Sequence, residues 1–166
     1  TLTVTDQSGN TQTASVVVTI VDNTKPALVC KNTAVSLNTA GSAGLSTGDV
    51  FQSGSDNCGI LNLVSVQPNS FNCADWGARS VTLTANDGHG NTTTCSASVN
   101  VLDNIAPTVV CKTKVESYLN AAGASTITAA AAFQNGADNC SVVNLQSVLP
   151  NSFTCSNLGP NVATLT

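Results

Sequence analysis

Apolar positions along this chain recur at every second residue rather than at every third or fourth. Ser15-Val16-Val17-Val18-Thr19-Ile20-Val21 and Ser80-Val81-Thr82-Leu83-Thr84 are β-branched and largely alternating, and Ser96-Ala97-Ser98-Val99-Asn100-Val101 alternates cleanly. That period suits strands with one face buried. Gly, Asn, Asp and Pro punctuate the runs. Gln67-Pro68-Asn69-Ser70 predicts a turn, and Asp87-Gly88-His89-Gly90-Asn91 predicts a hairpin loop. Pro26 and Pro107 mark linkers, because Pro is tolerated at the first residue of a strand or on an edge. The helical alternative, Ala129-Ala130-Ala131-Ala132, is too short to change the class.

The pattern itself repeats. Asp22-Asn23-Thr24-Lys25-Pro26-Ala27-Leu28-Val29-Cys30 returns as Asp103-Asn104-Ile105-Ala106-Pro107-Thr108-Val109-Val110-Cys111, at an offset of 81 residues that also relates Asp6 to Asp87. Asp56-Asn57-Cys58 returns as Asp138-Asn139-Cys140, and Pro68-Asn69-Ser70-Phe71 as Pro150-Asn151-Ser152-Phe153, at an offset of 82. One residue is inserted between Lys112 and Leu119. Thr-Leu-Thr opens the chain, closes it and stands at Thr82-Leu83-Thr84, as expected of a window cut from a longer tandem array. The expected divisions are 1–22, the C-terminal hairpin of one module; 23–103, a complete module; and 104–166, a module stopping before its final hairpin. A module of about 80 residues with many short strands reads as an Ig-like β-sandwich. The fold class expected is all-β, as tandem Ig-like sandwich modules in an elongated array.

Composition narrows the setting. Charged residues make up only 8% of the chain, so Thr, Ser, Asn and Gln must supply the polar surface. A net charge of −4, with five scattered basic residues, argues against a nucleic-acid partner. No apolar run approaches the roughly 18 residues of a membrane span. The seven cysteines have no zinc-type Cys-x-x-Cys spacing, and the single histidine cannot complete a repeated Cys/His site. Disulfides, and an oxidising extracellular compartment, are the better reading. Cys30, Cys58, Cys73 and Cys95 of the complete module allow three connectivities. The favoured one is Cys30–Cys95, tying opening to closing strand side by side, with Cys58–Cys73 closing a loop of about 15 residues worth roughly 3 kcal/mol. Cys140–Cys155 would be its counterpart. Cys111 is then left without a partner by truncation, and Ala14 stands where Cys95 would recur.

The motifs DNTKPALVC, DNC and TANDGHGNTTTC resemble, in that order and spacing, the hyalin repeat, or HYR module, across essentially the whole chain. The Thr/Asn/Ser-rich, Lys-poor style looks like the very long secreted surface adhesins of Bacteroidota, including gliding-motility adhesins. The resemblance implies Ig-like modules with adhesive or cell-surface roles, and export by the type 9 secretion route.

Catalytic chemistry has little to stand on. His89 has Asp87 two residues away, but the other copy carries Ser8 there, so a solvated loop histidine is the expectation. Trp76 occurs once, opposite Leu158, and reads as a packing residue rather than a sugar platform. Asn91-Thr92-Thr93 and Asn139-Cys140-Ser141 match the N-glycosylation pattern. Calcium is the stronger candidate, because it takes six to eight oxygen ligands. Asp22 and Asn23 lie in a linker. Asp56 lies in a loop read as joining second and third strands, and Asp87 lies in the final hairpin loop. Both loops belong at the pole where the chain enters an Ig-like module. Asp103 and Asp138 would repeat the arrangement, and Asp6 would serve the preceding module. The competing reading is that these residues form Asx-turns on their own backbone.

The function expected is a non-catalytic stalk segment of a long extracellular cell-surface adhesin, serving attachment or gliding motility. Its partners would be adjacent modules of the same chain, and surface polysaccharide or the substratum. A structural extracellular filament is the alternative, since exposed edge strands permit strand addition between chains. A carbohydrate-binding module is third, because no aromatic platform repeats.

Overall fold

The computed structural model describes residues 1–166, and the chain is all-β with two one-turn helices. Strands β1 (Leu2–Thr5) and β2 (Thr11–Ala14) form an antiparallel hairpin with Leu2 opposite Ala14. The hairpin pairs with no other strand, and all its strand residues are exposed.

Residues 27–102 carry the core. In order come β3 (Ala27–Cys30), β4 (Thr33–Ser36), β5 (Ser42–Gly44), helix α1 (Thr47–Val50), β6 (Phe51–Ser55), β7 (Asn62–Gln67), β8 (Ser70–Asn72), a 3-10 turn at Cys73–Asp75, β9 (Gly77–Asn86) and β10 (Thr92–Leu102). Four strands make one sheet in the order β4-β10-β9-β7, and β3-β6 and β5-β8 make two antiparallel pairs. β4 runs parallel to β10, and the other neighbours run antiparallel.

The alternation seen in the sequence explains this packing. Ala97, Val99 and Val101 of β10 and Val81 and Leu83 of β9 turn inward, with Val66 and Phe71 from β7 and β8. Ser96, Ser98 and Asn100 face solvent. Complete burial of one such valine contributes roughly 1.5–3 kcal/mol. α1 is set by Asp49, whose carboxylate accepts from Ser46 N at 2.7 Å and so closes the first turn.

Residues 108–165 repeat much of this order. They form β11 (Thr108–Cys111), β12 (Ala124–Thr126), α2 (Ala129–Ala132), β13 (Phe133–Ala137), β14 (Val148–Leu149), β15 (Ser152–Thr154), a 3-10 turn at Cys155–Asn157 and β16 (Thr164–Leu165). The pairings recur with their register. Ala27 opposite Ser55 becomes Thr108 opposite Ala137, and the shift at Val29/Cys30 becomes one at Val110/Cys111. Ser42 opposite Asn72 becomes Ala124 opposite Thr154, and Val66 opposite Leu83 becomes Val148 opposite Leu165. The prolyl turns recur as well, with cis bonds at Gln67-Pro68 and Leu149-Pro150.

Three expectations need correction. Ser15–Val21 is not a strand: Val16, Val17, Val18, Ile20 and Val21 are 69–90% exposed. The aligned Ser96–Leu102 is strand because β9 and β4 flank it, and no strand flanks Ser15–Val21. β-propensity without a neighbour to pair and pack against is insufficient. Second, Asp56 follows β6, the fourth strand after Pro26, so its loop joins fourth and fifth strands. The short strands β4 and β5 had no clear period-two signal. Third, β3 and β10, which carry Cys30 and Cys95, are not sheet neighbours. β3 pairs with β6, and β10 lies between β4 and β9.

Candidate functional site: the module joint

The linker acids converge. Carboxylate atoms of Asp22 and Asp56 and the Cys58 sulfur lie within 4.8 Å of one another, as do Asp22, Asp87 and a His89 ring nitrogen. The long β9–β10 hairpin, the β6–β7 loop and the linker before Pro26 bring them together. Asn91 fastens linker to hairpin, its Nδ2 donating to Asp22 O at 3.1 Å and to Asp87 Oδ2. Asn57 Nδ2 donates to Asp22 Oδ1 at 3.3 Å. Asn23 is exposed and stands outside this cluster.

Each acid also forms the Asx-turn that its sequence setting allows. Thr24 N donates to Asp22 Oδ1 at 3.0 Å, Cys58 N to Asp56 Oδ2 at 2.9 Å and His89 N to Asp87 Oδ1 at 2.8 Å. Asp6, Asp103 and Asp138 accept in the same manner from Ser8 N, Ile105 N and Cys140 N. The turns leave Asp22 Oδ2 and Asp56 Oδ1 shielded from solvent and without a hydrogen-bond partner. Turn formation therefore occupies one oxygen of each and leaves the other available.

Electrostatics follow from these contacts. The Thr24 N–H and the Cys58 thiol hold the Asp22 carboxyl below its ordinary value. For Asp87, which is fully buried, desolvation opposes ionisation. Donors from the Asn91 side chain and the backbone N–H groups of His89 and Asn91 outweigh it and leave the carboxyl lowered. The Asp22 carboxylate beside it, then burial and the charges of Asp56 and Asp87, push the Cys58 thiol up. Asp138 is lowered, first by Cys140 N–H and then by the Ser141 hydroxyl.

The cysteines bear out one bridge of the favoured scheme, Cys30–Cys95, and depart from it in the others. Cys30 is bonded to Cys95, linking the β3-β6 pair to the four-stranded sheet. Cys73 is bonded to Cys140, a bridge from one repeat to the next. The local loops Cys58–Cys73 and Cys140–Cys155 do not form, and Cys58, Cys111 and Cys155 are exposed free thiols. The physical reason is polar geometry. The Asp-Asn-Cys corner faces the linker at the pole where the chain enters, whereas Cys73 follows β8 beside Gly41. Sequence proximity misled, because spacing does not say which end of the fold a cysteine serves.

Around the bridge, Asn139 Nδ2 donates to Asn38 O at 3.3 Å and to Asp103 Oδ1 at 3.1 Å. Gly41, at φ +71°, is close enough that a Cβ would stand 2.6 Å from Cys73 Sγ and 2.9 Å from Asn139 O. Trp76 is a correction too. It is 67% exposed and, with Leu37 and Ser141, edges a cavity of 310 Å³ beside Cys73 and Cys140. It ends the 3-10 turn, so its side chain leaves the core. Leu158, opposite it in the repeat, is 79% exposed. His89 is exposed, as expected, but lies next to two carboxylates. The amide nitrogens of Asn91 and Asn139, which glycosylation would use, are committed to hydrogen bonds.

Comparison with protein families, with characterised proteins and with solved structures finds no match. Two disulfides fit an oxidising compartment, and no helix is long and apolar enough to cross a membrane.

Proposed function

We propose that this chain is a non-catalytic stalk segment of a long extracellular cell-surface adhesin, made of tandem Ig-like sandwich modules of the hyalin-repeat kind. The observation that carries the reading is the Cys73–Cys140 bridge, which fixes one repeat to the next. Short linkers and covalent joints favour an array that holds its direction, since stacked repeats interact mainly with neighbours. Attachment or gliding then depends on what the array presents. Shearing the native protein from cells, weighing the polypeptide and imaging it tests this. A very large single chain seen as a thin beaded thread is expected. A small subunit packed in a thick multi-chain fibre would replace it with the filament reading.

Calcium at the joint belongs to this proposal. Asp22, Asp56 and Asp87 supply carboxylates, and the two unpartnered oxygens supply the reason to place a cation there. The cation would neutralise the convergent charges and stiffen the linker. Thermal melts of the chain with calcium and with chelator check it. A higher midpoint with calcium is expected, and identical midpoints and hydrodynamic radii would remove the metal.

A further inference from the structure

The two clusters at the linker share Asp22, and one of them contains the single imidazole of the chain. A His89 ring nitrogen and carboxylate oxygens of Asp22 and Asp87 lie within 4.8 Å of one another. Calcium does not account for that group, because calcium takes oxygen ligands. The ring enters no hydrogen bond and no ion pair. His89 donates only through its backbone N, and the ion pairs of the chain are Arg79–Asp75 and Lys114–Glu116. The carboxylates of Asp22, Asp56 and Asp87 therefore gather with no basic side chain paired to any of them.

Two oxygens in these clusters want a partner. Asp22 Oδ2 and Asp56 Oδ1 are shielded from solvent and accept from no donor. The chain's own residues already close them off, so a group docking from outside reaches neither. The carboxylates are also fixed in advance. Asp22 Oδ1 accepts from Thr24 N and Asn57 Nδ2, and Asp87 accepts from His89 N, Asn91 N and Asn91 Nδ2. Hydrogen bonds of this kind orient the ligands of a metal. In a tetrahedral zinc site, ligand atoms about 2.1 Å from the ion stand about 3.4 Å apart. A small closure of the exposed His89 ring onto the two held carboxylates reaches that spacing.

We infer that Asp22, Asp87 and His89 form a binding site for one divalent transition-metal ion of the zinc class, with the Asp56 carboxylate as fourth donor. An imidazole beside carboxylates suits such ions, which take nitrogen as readily as oxygen. Cys58 is left out of the donor set. The ion ties the linker, through Asp22, to the β9–β10 hairpin, through Asp87 and His89, and so reinforces the bond from Asn91 Nδ2 to Asp22 O. The aligned turn carries Asp6 and Ser8, a carboxylate without the imidazole. The site is therefore a property of this joint and not of the repeat. The inference rests on the same convergence of acids as the calcium proposal, and on nothing about adhesion.

The test uses the full chain without an affinity tag. It carries Cys58→Ser, Cys111→Ser and Cys155→Ser, because exposed thiols bind zinc themselves. Calorimetric titration with zinc chloride should show one ion per chain. The ring-nitrogen resonances of His89, the only histidine, should shift on saturation with zinc and stay in place with calcium. His89→Ser should weaken zinc binding at least tenfold. Its metal-free melting midpoint should match the parent's, since the ring makes no hydrogen bond in the fold. No zinc binding, an affinity unchanged in His89→Ser, or ring resonances indifferent to zinc would overturn the inference. A midpoint raised by calcium with no zinc binding would overturn it and keep the calcium proposal. His89-dependent zinc binding with no effect of calcium would support it and remove calcium.

Discussion

Removing the Cys30–Cys95 bridge is the sharpest test of how residues 27–102 are held. The perturbation is Cys30→Ala with Cys95→Ala, which leaves no new thiol. The bridge spans 65 residues, and for that loop the chain-entropy relation gives about 4 kcal/mol at 25 °C. That is an upper value, because the Cys73–Cys140 loop overlaps it and already restrains the unfolded chain. Both sulfurs are only partly buried, so lost packing adds little. Against a total stability of about 5–15 kcal/mol, the loss is large and should lower the melting midpoint by about 15–30 °C. Urea unfolding followed by far-ultraviolet circular dichroism measures it, with Cys73–Cys140 verified by peptide mass. The midpoint should fall, and the denaturant slope should rise because the unfolded chain expands. A loss below about 1 kcal/mol would refute the reasoning: the two sheets would be held by their apolar contacts, not by a closed loop.

Three further outcomes follow from the packing and the acids. Val99→Ala, at a fully buried site, should cost about 2–3 kcal/mol, whereas Val18→Ala at the aligned exposed site should cost almost nothing in the isolated chain; paired urea titrations compare them. Gly41→Ala should disrupt the Cys73–Cys140 joint, because a Cβ there meets sulfur and the Asn139 carbonyl on a left-handed backbone, and peptide mapping should show a larger share of reduced Cys140. Asp22, Asp87 and Asp138 have folded-state values below 3.8, so the stability they contribute is complete above that value and is lost as pH falls through the lower folded values. Melting midpoints in chelator should be flat from about pH 7 to 5 and fall below about pH 4; a midpoint that rises on acidification would contradict the assigned hydrogen bonds.

The central strands were legible because alternation reports burial wherever a neighbour exists. Val81 and Leu83, and Ala97, Val99 and Val101, are inward as their period requires. The same rule failed at Val16–Val21, where pairing partners are absent. Local sequence carries a strand's propensity and not its neighbours. The Asp87 hairpin loop was legible from its Gly and Asn content, and its turn also forms at Asp6, where nothing packs on it. Convergence of Asp22, Asp56 and Asp87 followed from placing their loops at one pole, even though Asp56 follows a later strand than expected. Disulfide partners were legible only in part. Cys58 and Cys73 are close in sequence, but one lies beside the linker at Asp22 and the other beside Gly41 and Asn139, a distinction that spacing does not encode.

The Cys30–Cys95 bridge also decides how such a chain yields when pulled from its ends. With Cys73 and Cys140 replaced by alanine, so that this bridge acts alone, tension entering at β3 passes through the sulfurs into β10 and bypasses everything between them. The spanned 65 residues, about 220 Å of extended polypeptide, then stay locked out of the pulled length until the bond is reduced. In a single-molecule extension trace of that variant, reductant should therefore lengthen the unfolding step by about that amount. The module gives up little slack when overloaded, and its reach is set by the redox state around it.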